Sequence, residues 1–81
     1  MKNNFETLPR MDIYAPRGTK VIFDMPEAGY PYHQETAKKH LIVGKVYTVD
    51  FTEVYSSSTN VYLVGFPVAF NSVLFGDLTP E

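Results

Sequence analysis

Apolar and polar residues alternate along the middle of the chain, where Tyr47, Val49 and Phe51 are separated by Thr48, Asp50 and Thr52. A period of two sustained over this length predicts a half-buried β-strand with those three side chains on its inner face. Leu41 and Gly44 just upstream predict a turn feeding that strand, with Gly44 in a backbone geometry that other residues resist. Residues 20–23 (KVIF) form a continuous apolar run, which predicts a short strand buried on more than one side. Residues 24–32 (DMPEAGYPY) carry two prolines and a glycine and predict irregular backbone. Residues 33–40 (HQETAKKH) have helix-forming composition, with Ala37 facing inward and Glu35 spaced to pair with Lys38 or Lys39.

Beyond the long strand, residues 55–60 (YSSSTN) predict a polar hairpin loop and residues 61–64 its partner strand. Gly65, Phe66 and Pro67 predict a corner, and residues 68–70 a further strand. Residues 71–74 (NSVL) are too short for an α-helix and fit one 3₁₀ turn capped by Asn71 or Ser72. Residues 75–78 close the chain as a last strand. Residues 1–16 have mixed polarity and no sustained period. They read as an arm or extension that Phe5, Leu8, Ile13 and Tyr14 pin in place, ahead of a domain over residues 17–81. Met11 is an alternative start, which would make the first ten residues dispensable.

Two local patterns carry a family resemblance. Leu41, Gly44, Tyr47 and Val49 resemble the diverging turn and second strand of SH3-like domains. The run Phe70-Asn71-Ser72-Val73-Leu74-Phe75 resembles the strand, 3₁₀ turn and strand at their C-terminal end. The resemblance spans about residues 17–78 and implies a mainly β fold. That fold is a small SH3-like five-stranded barrel with a short helix inserted between strands 1 and 2, and residues 55–60 as its distal hairpin. The expected core is Val21, Phe23, Leu41, Tyr47, Val49, Leu63, Phe70, Val73 and Phe75. The pattern also resembles small proteins encoded in bacterial genomes and phages. Peptide-binding SH3 domains grip proline-rich ligands with an aromatic groove that includes a tryptophan. This chain has no Trp, and Asp24 and Glu27 are its only acids in the first loop before Glu35. The resemblance thus implies the fold without proline-peptide binding.

Composition narrows the function. At 81 residues there is room for one domain, and twelve Phe and Tyr supply large buried areas to a small core. The absence of cysteine excludes disulfides, thiol catalysis and thiolate zinc sites, and points to the cytoplasm. No apolar run approaches membrane-spanning length, and the N-terminus lacks a signal-peptide core. A net charge of −2 argues against nonspecific nucleic-acid binding.

Tyr30, Tyr32 and His33, on a proline-stiffened loop, present rigid aromatic area suited to binding. Lys38 and Lys39, with Lys45 and Lys20, are the densest basic cluster and the basis of the alternative, a nucleic-acid-binding barrel. His33 and His40 on one helix would stand ~10 Å apart, too far for one metal ion. Ser56, Ser57 and Ser58 lack a nucleophile context and serve a turn. Asp50 and Glu53 fall on opposite faces of one strand and form no acid/base pair. Gly44 and Asn71 read as structural positions that touch no ligand. The expectation is a noncatalytic protein-binding module without cofactor or metal, phage- or prophage-encoded as an accessory or inhibitor. Its partner is a protein, with self-association through a strand edge as a further route.

Overall fold

The computed structural model describes residues 8–78. The elements are β1 (Lys20–Phe23), α1 (Pro31–His40), β2 (Val46–Val54), β3 (Thr59–Leu63), β4 (Ala69–Asn71), a 3₁₀ turn (Ser72–Leu74) and β5 (Phe75–Asp77). All strand pairings are antiparallel, in the order β4-β3-β2-β1-β5. The fold is mainly β with one short helix between β1 and β2. Among the described residues β4 and β5 do not pair with each other, so the sheet is open and the closure of a barrel is not observed.

β2 is the strand on which the sheet turns. Its first half pairs with β1, Val21 opposite Tyr47 and Lys20 opposite Thr48. Its second half pairs with β3, and there the register slips: Val49 faces Leu63, but Phe51 faces Tyr62. Two residues advance on β2 for one on β3, which makes Asp50 the extra residue of a β-bulge. The slip inverts the inside–outside alternation. Tyr47 and Val49 point inward as expected; Phe51 does not, and is 47% exposed. Its ring instead stacks on Tyr62 across the outer face, centroids 4.3 Å apart. Thr52 takes the position opposite the buried Val61.

The 3₁₀ turn forms where expected, with Asn71 Oδ1 accepting the Val73 N–H at 3.0 Å. The expected core residue Val73 is 39% exposed, and Leu74 is fully buried in its place. Three residues per turn put neighbouring side chains about a third of a turn apart, so only one of the pair faces the sheet. The other eight expected core residues are buried, joined by Val61, Ala37, Met11 and Ala15. In β1 only Val21 and Phe23 are fully enclosed; Ile22 is half-buried on the other face. Gly44 has φ +88° in the turn before β2, where its N–H donates to the Phe23 carbonyl at 2.7 Å. The Ile42 N–H donates to the Tyr47 hydroxyl at 2.8 Å, which satisfies that largely buried phenol.

Residues 9–11 lie along the free side of β5. The Asp77 N–H donates to the Pro9 carbonyl at 2.8 Å and the Met11 N–H to the Phe75 carbonyl at 3.2 Å. Arg10 bridges to Gly76 in the same ladder. Phe5 lies outside the described residues, as do residues 79–81 of the expected free end.

The turn geometry sets a contrast between neighbours. Leu74→Ala should lower the unfolding free energy by about 2–5 kcal/mol, the range for emptying a filled core site. Val73→Ala should cost under about 1 kcal/mol. Urea denaturation of the two variants measures the difference.

Candidate functional site

Proline is tolerated in the first turn of a helix because its missing N–H has no partner there. Pro31 occupies that position, so α1 begins two residues earlier than its composition indicates. Tyr30 is the N-cap. Its carbonyl accepts from the His33 and Gln34 N–H groups, at 2.9 and 3.2 Å. His33 Nδ1 accepts the Tyr30 N–H at 3.1 Å, which closes the helix start from the side-chain direction. Gln34 Nε2 donates to the Glu27 and Gly29 carbonyls and holds the preceding loop against the helix.

Gly29 has φ +76°, and a Cβ there would stand 2.9 Å from His33 Nδ1. Only glycine meets both conditions without strain. Asn71 uses Oδ1 to cap the 3₁₀ turn, which turns its Nδ2 toward His33 Nδ1 at 3.4 Å. With two donors facing Nδ1, the neutral ring carries its proton on Nε2.

Tyr30 and Tyr32 are 67% and 65% exposed. Their rings are nearly parallel, 11° apart in plane with centroids at 6.0 Å, and His33 lies 4.2 Å from Tyr32. The two tyrosine rings do not pack the helix onto the sheet; the fully buried Ala37 does that, with His33 one turn before it on the same face. Tyr30, Tyr32 and His33 form one wall of a cleft of about 570 Å³. Ser57 and Ser58, from the loop between β2 and β3, stand on the other wall, with Asn71 and Val73 beside them. A second hollow of about 370 Å³ shares Tyr32, His33, Ser58 and Asn71 and runs on to Thr36 and Asn60. Among the described residues, no Lys, Arg, Asp or Glu lines either hollow.

Of the five expected binding residues, the fold gathers Tyr30, Tyr32 and His33 at this cleft. Lys38 and Lys39 sit in the last turn of α1, outside its lining. Lys38 is paired with Glu27 at 3.5 Å rather than with Glu35. Lys20 donates to Thr48 Oγ1 at 2.6 Å, and it stands three register steps from Lys45, ~10 Å along the strand pair. Lys20 and Lys45 therefore do not stand side by side. Ser57, Ser58 and Asn60 were legible only as turn formers, and Asn71 lines the cleft as well as capping its turn. No group of three His, Asp or Glu suited to a metal ion occurs among the described residues. Asp50 and Glu53 take separate partners: Arg17 Nε at 3.1 Å for the first, the Tyr62 and Tyr55 hydroxyls for the second.

Residues 9–79 match the family described as Bacteriophage T4 protein Y07B. No curated protein and no solved structure matches the chain.

Two tests follow from these contacts. Gly29→Ala should unfold the first turn of α1 and cost about 1–3 kcal/mol, read from urea denaturation and from loss of the His33 ring contacts by NMR. The second concerns Tyr62, whose phenol is raised above its ordinary value by its hydrogen bond to Glu53, then by desolvation and by the Glu53 charge. A raised phenol favours the folded state below the ordinary tyrosine range, near ~10, and that contribution is lost as pH rises through the Tyr62 value. Ultraviolet difference titration of Glu53→Gln against the wild-type chain should show the Tyr62 phenol moving back down toward its ordinary value.

Proposed function

The chain belongs to the family of bacteriophage T4 protein Y07B, and from that premise we propose that it is a noncatalytic protein-binding module. We further propose that it is phage-encoded and acts as an accessory or inhibitor on a host protein in the cytoplasm. One observation carries the reading: two large aromatic side chains, each about two-thirds exposed, are held on a helix start beside a cleft whose described lining carries no Lys, Arg, Asp or Glu. Exposed tyrosines on rigid backbone contribute contact area at little entropic cost, which is the usual chemistry of interface anchors. Pro31, the Gly29 turn and the His33 tie restrict the backbone that carries them. Hydroxyl and amide groups of Ser57, Ser58 and Asn71 supply neutral hydrogen bonding on the facing wall.

The SH3-like reading of the fold has support in the strand order β4-β3-β2-β1-β5, the long bulged β2 and the 3₁₀ turn between the last two strands. Proline-peptide recognition stays outside the proposal, since the tryptophan of that groove has no counterpart here. A nucleic-acid ligand is disfavoured by the net charge of −2, by the Lys38–Glu27 pair and by the lack of Lys or Arg among the described residues of the cleft lining.

The test is affinity capture from host-cell extract, followed by titration of the captured protein. Tyr30→Ala with Tyr32→Ala should weaken binding by at least about tenfold, as loss of interface anchors does. Lys38→Ala with Lys39→Ala should leave it near wild type. Unchanged capture by the tyrosine double variant, or affinity for DNA or RNA that falls steeply with salt, overturns the reading.

A further inference from the structure

A strand at the end of a sheet offers unpaired N–H and C=O groups to any other strand. The two ends of this sheet are treated differently. α1 packs beside β4. β5 is covered by residues 9–11, held by two backbone bonds, by the buried Met11 side chain and by Arg10. The Arg10 guanidinium makes a two-pronged contact with Asp24, Nη1 to Oδ1 at 3.0 Å and Nη2 to Oδ2 at 2.8 Å. It also donates to the Phe75 carbonyl at 2.8 Å, the Val73 carbonyl at 3.3 Å and the Leu8 carbonyl at 2.8 Å. One residue thus joins the N-terminal segment, the loop after β1 and the 3₁₀–β5 corner. Gly76 makes room for it: a Cβ there would stand 2.6 Å from Asp24 Oδ2 and 3.1 Å from Leu8 Cβ.

We propose that residues 9–11 are a strap latched by Arg10 on Asp24, and that the strap keeps β5 from pairing with β5 of a second copy of this chain. The donor and acceptor that residues 9–11 engage, the Asp77 N–H and the Phe75 carbonyl, are the groups that an antiparallel edge needs. Two copies meeting edge to edge about Gly76 would exchange these bonds symmetrically, each β5 taking the place of the other's strap. Gly76 adds no side chain to obstruct that approach. The occupant is a second copy because the Asp77 N–H and the Phe75 carbonyl flank Gly76, so a two-fold axis through Gly76 satisfies both bonds at once. The inference concerns a surface separate from the tyrosine cleft and stands or falls without it.

Sedimentation equilibrium and amide hydrogen exchange test the latch. The wild-type chain should be a monomer at high protein concentration, with the Met11 and Asp77 amides protected. Arg10→Ala should speed exchange at those two amides by about ten- to a hundredfold in dilute solution, the loss of a charge-assisted contact. It should also produce a dimer on concentration, in which the Asp77 amide is protected again. Arg10→Lys keeps a cation but loses the fork; it should show the same change in smaller degree, and it decides the question if Arg10→Ala does not fold. A wild-type dimer, or a folded Arg10 variant that stays monomeric with both amides protected, overturns the proposal.

Discussion

Asp50 takes no place in the ladder between β2 and β3, and the rest of the fold follows from that one unpaired step. Before it, β2 shows Tyr47 and Val49 to the core while bonded to β1. After it, the same strand shows Thr52 inward and turns Phe51 and Glu53 out. Bulges increase local twist and bend the strand that carries them. A single nine-residue strand can therefore serve two partners, and the loop that leaves its far end is brought round toward α1. Asp50 is held at the bend by Arg17, and the backbone beside it is fixed by the reciprocal bonds between Val49 and residues 18 and 19.

The cleft is a product of that bend. Its walls come from the start of α1, the loop between β2 and β3, and the corner after β4, which are far apart in sequence. His33 is the piece that binds them. The same nitrogen that closes the helix start also meets Asn71, whose other amide atom caps the 3₁₀ turn. The Gly29 backbone comes close enough to His33 that a methyl group would collide. The exposed tyrosines are thus carried by backbone with little freedom, which lowers the ordering cost that a partner would otherwise bear.

At the other end of the sheet, charge does the work that burial does in the core. Arg10 bonds groups from three separate segments, and its carboxylate partner sits over a glycine. Aromatic packing connects the two ends: Tyr47, Phe66, Phe70, Phe75 and Phe23 follow one another at centroid separations of 5.5 to 6.3 Å. A small core of this kind tolerates little slack, because each ring touches the next and no large apolar reserve stands behind it.

Local pattern determined a good deal. The period of two placed β2, the KVIF run placed β1, the composition of residues 33–40 placed most of α1, and Asn71 was readable as a cap. Each of these depends on a residue and its near neighbours in the chain. Tertiary structure decided the remainder. Phe51 reads as an inward residue until β3 is known to slip by one, and Val73 and Leu74 are equally apolar until the sheet selects which of them it covers. The serines after β2 look like turn formers until the bent strand carries them to Tyr32. Arg10 looks like part of a loose arm until Asp24 and the Phe75 carbonyl are set beside it. Periodicity reports the faces of one segment; which face meets which, and across what gap, depends on contacts between segments that the chain separates by tens of residues.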